Sequence, residues 1–304
     1  MFRQMKKNTG QELREQMLVI QKVLESSITT NTWYWMVSTN AVIITKVCNA
    51  VLKSYFNSWP RDLVKVYTCS PIDFHAQTMN WDCGYRNTQT VLSSYLNFDC
   101  AVRDHLFSSE ILTTPTLLDI QKKIENAWMR GYDQVGGMQL DYSLKNTNKW
   151  IGATEVVAMM RSCRIYACVA DFDYTNNQCD LNTMVQVIWE YFKNRCNKKN
   201  GRSFVAPLYL QHQGHSRLII GAEKWINGDV KLLILDPQMR KALQFSQKQG
   251  EEANILRQSV VTHGLNSRSK YQIAYLAQKE IYADENEFTK IIIDELRHPR
   301  LKFI

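Results

Sequence analysis

The spacing of hydrophobic residues along the chain changes near residue 60. Before that point, apolar residues recur at helical intervals at Leu13, Met17, Ile20 and Leu24. A second apolar run follows over residues 41–56, and the pair Trp59-Pro60 interrupts it. Apolar residues three or four positions apart share one face of a helix, whereas proline ends regular structure. The pattern therefore predicts an N-terminal helical segment, 1–60, and a separate domain over residues 61–304.

In the second part of the chain, predicted helices come before most of the predicted strands. The helices are expected over residues 85–98, 118–130, 153–163, 181–196 and 285–296. The strands are expected over residues 165–172, 207–211, 216–222, 230–235 and 271–277. Helices and strands that are segregated along the chain are typical of an α+β fold.

The composition is that of a globular protein. The chain has 304 residues, of which 45% are hydrophobic and 22% charged, enough to bury a sizeable core. The basic N-terminus lacks the apolar segment of a secretion signal, and the most apolar stretch, 33–52, carries Lys46 and several polar residues. We therefore expect a buried helix at 33–52, no membrane association, and a cytoplasmic or nuclear location.

Charge and cysteine content narrow the expected partners. The net charge of +8 is spread along the chain without a basic and aromatic stripe, so nucleic-acid binding is not favoured. None of the eight cysteines forms a Cys-x-x-Cys pair. We therefore expect free thiols in a reducing compartment, no structural metal site and no cofactor. We also expect a monomer.

A cysteine at the predicted start of a helix is the first candidate for catalytic chemistry. Cys83 lies in the segment NWDCGYRN, residues 80–87. Backbone N–H groups and the helix dipole at such a position favour the thiolate, which is the nucleophilic form of cysteine. A small residue that caps the helix is the alternative on position alone.

Candidate histidine and aspartate side chains follow on predicted strands. His212 and His215 lie in the segment QHQGHSR, and Asp236 ends an apolar strand before Pro237. A carboxylate there either forms a turn or orients a histidine. Cysteine on a helix, followed by histidine and aspartate on strands, is the arrangement of papain-like cysteine proteases. His212 and His215 compete for the role of base, and His215 is favoured because it follows Gly214 and opens the apolar strand.

The separation of His215 and Asp236 sets a condition on the hairpin that joins their strands. A simple two-residue turn at Asn227-Gly228 would place Asp236 opposite Ile219. Asp236 would then lie about 13 Å along the strand from His215. We therefore expect a longer connection or a bulge.

A glutamine upstream of the cysteine is a candidate for stabilising the transition state. Gln77 lies six residues before Cys83. Its side chain could donate to the oxyanion that forms when a thiolate attacks a carbonyl. An ordinary loop glutamine is the alternative.

Several segments resemble the ZUFSP-type cysteine deubiquitinases. The similar segments are DCGYRNTQ (82–89) with LSS (92–94), WIGATEV (150–156), LYLQHQGHSR (208–217), LILDP (233–237) and YQI (271–273). The resemblance covers residues 69–280 and implies a papain-like thiol isopeptidase that cleaves after the C-terminal Gly-Gly of ubiquitin. The related proteases of the ubiquitin-fold modifier take their histidine from an Asp-Pro-His run, whereas Gln238 follows Asp236-Pro237 here.

The resemblance also implies a substrate groove and a partner, ubiquitin or polyubiquitin chains. Asp133 and Glu155 match acidic positions of the family and are expected to meet the arginines of the ubiquitin tail, while Trp150 would cover its glycines. Surface acids and a core tryptophan are the alternative. Where animal members carry zinc fingers and ubiquitin-binding helices, this sequence has the 1–60 segment, a candidate accessory ubiquitin-binding segment. A protease for another ubiquitin-like modifier and a non-catalytic ubiquitin-binding module are the alternative functions.

Overall fold

The computed structural model describes residues 36–38, 41–44, 60–98, 103, 106–107, 113–173, 181–196, 204–238 and 270–281. All of them fall in the unit Met36–Ile304. The predicted helices within residues 1–35 and over 285–296 lie outside the described residues. The predicted boundary at residue 60 stays a prediction.

Helices and strands alternate only in part along the described chain. The elements are β1 (Met36–Ser38), β2 (Ala41–Ile44), β3 (Leu63–Thr68), β4 (Phe74–His75), α1 (Cys83–Leu96), α2 (Leu117–Met129), α3 (Gln134–Gln139), α4 (Ala153–Ser162), β5 (Ile165–Asp173), α5 (Leu181–Cys196), β6 (Leu208–His212), β7 (His215–Trp225), β8 (Val230–Leu235) and β9 (Lys270–Ile281). The strand pairs among the described residues are all antiparallel. The α+β class predicted from the sequence is confirmed.

The main sheet has six described strands in the order β3-β7-β6-β9-β5, with β8 also paired to β7. Strand β7 joins this sheet together, because it pairs with β6 near its start, with β3 near its end, and with β8. The turn between β6 and β7 consists of Gln213 and Gly214, and Gly214 has a φ of 79°. A positive φ favours glycine, so this residue type allows the tight turn that precedes His215.

Helix α1 is surrounded by other elements on nearly all sides. It packs against β7, β6 and β4, and its residues from Cys83 to Tyr95 are all buried. A helix that is buried all round belongs to the interior of a protein. Its C-terminal end is fixed by Tyr95, whose ring lies 4.6 Å from that of Phe204. The N-terminus of α1 consequently lies in a position that its neighbours define.

Residues 41–44 form a strand, so the predicted helix over 41–56 and the buried helix over 33–52 are wrong for the residues that the structure describes there. Strand β2 pairs with β1, and Ile43 of β2 pairs with His75 of β4. Val42, Ile43 and Ile44 are β-branched, and such side chains favour strands over helices. The apolar spacing alone did not distinguish the two.

Besides the two-residue strand β4, two further elements were not predicted. Strand β3 contains Lys65 among its apolar residues, so its alternation is weak, although it pairs with the end of β7. Helix α3 contains Gly136 and Gly137, and glycine is a poor helix former. Tertiary contacts rather than local preference therefore stabilise both elements.

The described part of the chain contains five cysteines. Its cysteines are free thiols, at Cys69, Cys83, Cys163, Cys168 and Cys196. Within the same residues, no three His, Cys, Asp or Glu side chains are grouped as metal ligands would be. No helix described there is both long enough and apolar enough to cross a membrane.

Candidate active site

Helix α1 begins at Cys83, and the residue before it fixes the incoming chain. The fully buried Asp82 carboxylate accepts hydrogen bonds from the Met79 backbone N–H at 3.1 Å and the Thr78 hydroxyl at 2.9 Å. It also pairs with Arg86 Nε at 2.9 Å, one helical turn later. These contacts hold Cys83 at the first position of the helix, where backbone N–H groups and the dipole favour a thiolate.

The β7–β8 hairpin brings His215 and Asp236 together by two irregularities. Trp225 N–H donates to the Asp229 carbonyl at 2.9 Å, so the connecting loop has three residues, Ile226 to Gly228. A register shift between Ile219 and Gly221 moves the pairing by one more residue. A β-bulge of this kind is a common device for aiming a side chain at an active site. The expectation of a longer connection or a bulge is confirmed, since both are present.

The Asp236 carboxylate bridges two residues of β7. Its Oδ1 lies 2.9 Å from His215 Nε2, and its Oδ2 accepts from Arg217 Nε at 2.7 Å. His215 and Arg217 are two positions apart in a strand, so their side chains lie on the same face. Arg217 belongs to the segment QHQGHSR, whose pattern predicts no role for it. The period-two spacing from His215 was the signal for it.

The pKa values of Cys83 and His215 are shifted in directions that suit a nucleophile and a base. Burial by itself raises the pKa of the Cys83 thiol, but hydrogen bonds with His215 and Ser216 bring the pKa below its ordinary value. Burial lowers the pKa of His215, but its hydrogen bonds with Asp236 and Cys83 raise it to about 9. These shifts favour a thiolate and imidazolium pair over a thiol and a neutral imidazole.

The pKa of Asp236 is also shifted, which keeps this residue ionised. Burial raises the pKa of the carboxyl, but the hydrogen bonds from His215 and the Gln238 backbone, together with the His215 charge, lower it to about 2. Because Nε2 of His215 faces this carboxylate, Nδ1 is the nitrogen left for Cys83. An ionised partner fixes both the orientation and the tautomer of the imidazole.

His212, the competing histidine, has a different environment. Its Nδ1 lies 3.1 Å from the Gln213 carbonyl oxygen, and its ring contacts His215 and Tyr271 edge-on. The histidine that contacts both Cys83 and Asp236 is His215. The geometry thus supports the base that was assigned from the sequence, while the catalytic roles stay predictions.

Gln77 lies close to the proposed triad, but its amide is engaged elsewhere. Its backbone N–H donates to the Pro237 carbonyl at 2.7 Å, which ties this segment to the residue after Asp236. Its Nε2 donates to the Met79 carbonyl at 2.6 Å. An oxyanion role therefore requires Nε2 to turn from Met79 toward the substrate, and it stays a prediction.

Replacing Gln77 with alanine is expected to reduce turnover by about 10²–10³-fold if Nε2 donates to the oxyanion. KM should change little, since that contact strengthens only in the transition state. Steady-state kinetics on a fluorogenic ubiquitin substrate would measure both. Turnover close to that of the unaltered protein would transfer the role to the Cys83 backbone N–H or to Tyr85, whose hydroxyl donates to the Lys149 carbonyl.

Trp150 lies beside the turn that precedes His215. A Cβ atom added to Gly214 would be 3.8 Å from the Trp150 ring, and the Trp150 side chain is 52% exposed. Trp150 is therefore a surface residue next to the site and not a core tryptophan. The following residue, Ile151, contacts Gly84, where an added Cβ would be 2.6 Å from the Ile151 carbonyl oxygen. Glycine at 84 thus allows the 150–152 segment to approach the start of α1.

The two acids predicted to bind substrate lie together. Asp133 Oδ2 and Glu155 Oε1 both lie near Gly136, where an added Cβ would collide with Asp133 and be 2.9 Å from Glu155. Glu155 also caps α4 by accepting from Gly152 N–H at 2.7 Å. Burial, more than the neighbouring Asp133 charge, raises the pKa of Glu155. The structure thus joins these acids into one acidic pair.

Comparison with known proteins identifies a matching family and several similar proteins. Residues 62–274 match peptidase family C78. The human protein named zinc finger-containing ubiquitin peptidase 1 is 36% identical over 239 residues, 73% of this chain and 39% of that protein. Ubiquitin carboxyl-terminal hydrolase mug105 of Schizosaccharomyces pombe is 32% identical over 185 residues, 60% of this chain and 68% of that protein. A crystal structure of UfSP from C. elegans covers 79% of this chain and 38% of that chain, at 14% identity and a TM-score of 0.49.

The similarity has a defined extent. This chain spans 39% of the length of the zinc finger-containing relatives. The matched region includes Cys83, His215 and Asp236, along with the helix and strands that carry them. The papain-like fold and the ZUFSP-type resemblance inferred from the motifs are confirmed. Because the match covers most of its length, this chain belongs to peptidase family C78.

Proposed function

We propose that this chain is a thiol isopeptidase that hydrolyses the bond after the C-terminal Gly-Gly of ubiquitin. The observation that carries the proposal is the hydrogen-bonded series of Cys83, His215 and Asp236 at the start of a buried helix. The relatives named as a ubiquitin peptidase and as a ubiquitin carboxyl-terminal hydrolase support ubiquitin as the substrate. Ubiquitin and its chains are accordingly the proposed partners.

The geometry supports a two-step acyl transfer. The Cys83 thiolate attacks the isopeptide carbonyl, and the resulting oxyanion lies near the N-terminus of α1. Imidazolium His215 then gives its proton to the departing lysine amine, which leaves a thioester between Cys83 and the ubiquitin terminus. Neutral His215 next takes a proton from water, and the resulting hydroxide attacks the thioester to regenerate the thiolate. Asp236 holds the ring in place through both steps.

The pH profile of kcat/KM is expected to be a broad bell-shaped curve. The reactive pair exists above the pKa of Cys83, which lies below the ordinary thiol value, and below that of His215, at about 9. As pH increases, kcat/KM should therefore begin to rise at a pH below the ordinary thiol pKa, and it should fall as pH passes about 9. Hydrolysis of a ubiquitin C-terminal amide between pH 5 and 10 would measure both limbs. An activity that still rises above pH 9 would contradict the ion pair.

The acidic pair suits the basic tail of ubiquitin. Asp133 is half-buried on the surface beside α3, and Glu155 is 7% exposed behind it. Because the two carboxylates lie together, we propose that they bind one guanidinium group jointly, with Asp133 in direct contact. Trp150, next to the His215 turn, is the proposed cover of the two glycines.

Changing Asp133 to lysine is expected to lower kcat/KM for ubiquitin by about ten- to a hundredfold, since a charge-assisted hydrogen bond is replaced by repulsion. Glu155→Gln, which keeps an oxygen for Gly152 N–H, should give a smaller loss. Kinetics on ubiquitin with a tail arginine changed to glutamate would complete the test, because Asp133→Lys should recover activity on it. Glu190→Gln, which alters an exposed acid on α5, is the matched control. Unchanged activity in both variants would place the tail elsewhere.

A panel of C-terminal probes tests the proposed function itself. Unaltered protein should form a covalent adduct with a ubiquitin probe and none with probes of other ubiquitin-like modifiers, and the adduct should be absent in Cys83→Ala. A set of di-ubiquitins would then give the linkage. Labelling by another modifier alone would establish the modifier protease. Binding of ubiquitin without labelling would establish the non-catalytic module.

A further inference from the structure

Two buried polar residues beside Cys83 have no part in the mechanism above. Asn87 of α1 is 1% exposed and Ser216 of β7 is fully buried. The Asn87 Nδ2 donates to the Ser216 hydroxyl oxygen at 2.9 Å. Buried polar side chains cost free energy unless they are paired, so this contact between α1 and β7 needs a physical explanation.

Their positions in the two elements bring both residues to the sulfur. Asn87 lies four residues after Cys83, so the two share one face of α1. Ser216 follows His215 in β7, and successive side chains of a strand point to opposite faces. His215 reaches Cys83 from the face that carries Asp236, whereas Ser216 reaches it from the face that packs on α1.

The hydrogen-bond capacity of Ser216 determines where its proton goes. A serine hydroxyl has one proton and two acceptor lone pairs. Asn87 Nδ2 occupies a lone pair, because an amide N–H can only donate. Tyr209, which also contacts Ser216, donates its own proton to Gln211 Oε1 at 3.5 Å, so its hydroxyl oxygen is a competing acceptor for the Ser216 proton. The Cys83 sulfur, which contacts both the hydroxyl and the backbone N–H of Ser216, is the stronger of the two acceptors, because a thiolate is charged and the Tyr209 hydroxyl is neutral.

We propose that Ser216 is a further catalytic residue, whose hydroxyl and backbone N–H donate to the Cys83 thiolate, and that Asn87 is a positioning residue that orients this hydroxyl. Charge-assisted hydrogen bonds of this kind stabilise the anion over the thiol. The importance of this contact for turnover rests on the proposed function, but its effect on the thiolate does not. The backbone N–H of Ser216 is present in every variant, so substitution removes only the hydrogen bond from the side-chain hydroxyl.

Other charged and titratable groups face the same region. The neighbouring elements contribute His215 from β7, Asp236 after β8, Tyr209 from β6, His75 from β4, Glu125 from α2 and Glu155 from α4, while α1 itself contributes Tyr85 and also Arg86, which pairs with Asp82. Burial and the Arg86 charge lower the pKa of His75 to about 3, so it stays neutral. Burial keeps Tyr209 protonated by raising its pKa. His215 is therefore the group among them that titrates together with Cys83.

The test is the pH dependence of Cys83 alkylation by iodoacetamide, followed by mass spectrometry of the peptide that contains Cys83. Ser216→Ala should raise the thiolate pKa by about one unit, as expected for the loss of one hydrogen bond to a charged group. Asn87→Ala should raise it by less. In a protein that already carries Ser216→Ala, Asn87→Ala should not shift the thiolate pKa further, because Asn87 acts through the Ser216 hydroxyl.

Controls separate this role from a structural one. Ser94→Ala removes another buried hydroxyl of α1, which donates to the Val91 carbonyl, and should leave the alkylation profile unchanged. An unshifted alkylation profile in folded Ser216→Ala would overturn the proposal. It would also be overturned if Asn87→Ala shifted the profile equally in the unaltered protein and in the Ser216→Ala variant. If Ser216→Ala does not fold, the Asn87→Ala profile decides by itself. Since alkylation needs no ubiquitin, failure of the proposed function would show separately, as absence of probe labelling in unaltered protein.

Discussion

Cys83→Ala is expected to abolish ubiquitin cleavage, with a loss of at least about 10⁴-fold in kcat, because no other group replaces the nucleophile. The fold should persist, since the change removes one sulfur atom from the end of a helix that its neighbours hold on all sides. Hydrolysis of di-ubiquitin and labelling by a ubiquitin probe would measure the loss, and thermal unfolding would verify the fold.

The two histidines provide the internal comparison for this result. His215→Ala should lose nearly as much activity as Cys83→Ala, because nucleophile and base act as one unit. His212→Ala should retain activity within about tenfold, since its ring contacts His215 without contacting Asp236. If His212→Ala were inactive and His215→Ala active, the base assignment would be wrong.

Asp236→Asn is expected to lower kcat by about 10²–10⁴-fold. The aspartate oxygens accept separately from two donors, His215 Nε2 and Arg217 Nε. Asparagine has a single side-chain oxygen, so its NH₂ group must face one of these N–H donors, and the loss of negative charge lowers the pKa of His215. Activity against pH would therefore show both a smaller maximum and a basic limb below pH 9.

A second substitution distinguishes the two causes of this loss. With Arg217 also changed to leucine, the amide of an asparagine at position 236 is free to turn its oxygen toward His215, and part of the activity should return. Asp229→Asn, next to the loop of the same hairpin, is the matched control, because among the described contacts its carboxylate accepts from Asn227 Nδ2 in that loop. Full activity of Asp236→Asn would show that orientation of His215 does not depend on the carboxylate.

Much of the site could be predicted because its parts are local. The helical pattern over residues 85–98 placed Cys83 at the expected start of a helix, and helix α1 begins at Cys83 itself. Helix α5 and strand β8 have the bounds that their apolar patterns predicted. Such signals depend on neighbouring residues in the chain, so they can be detected in the sequence.

The sequence could not assign every apolar run to the correct element. Residues 41–44 satisfy both a helical and a strand pattern, and their pairing with β4, about thirty residues later, selects the strand. Helix α3 forms despite its two glycines, because Asp133 caps it and Trp128 packs near Gly137. Contacts between distant parts of the chain made these choices, as tertiary context commonly overrides local propensity.

The sequence by itself determined the identities of the nucleophile, base and acid candidates, and it required that the β7–β8 hairpin be irregular. Only the tertiary structure decided how that requirement is met. The bulge lies between Ile219 and Gly221, and at Gly221 strand β3 approaches so closely that an added Cβ would meet the Tyr67 carbonyl oxygen. Its position depends on a strand more than 150 residues earlier in the chain, so no local pattern encodes it. The same packing placed Arg217 on Asp236, Asn87 on Ser216 and Asp133 beside Glu155, because side chains from separate elements meet only when the chain is folded.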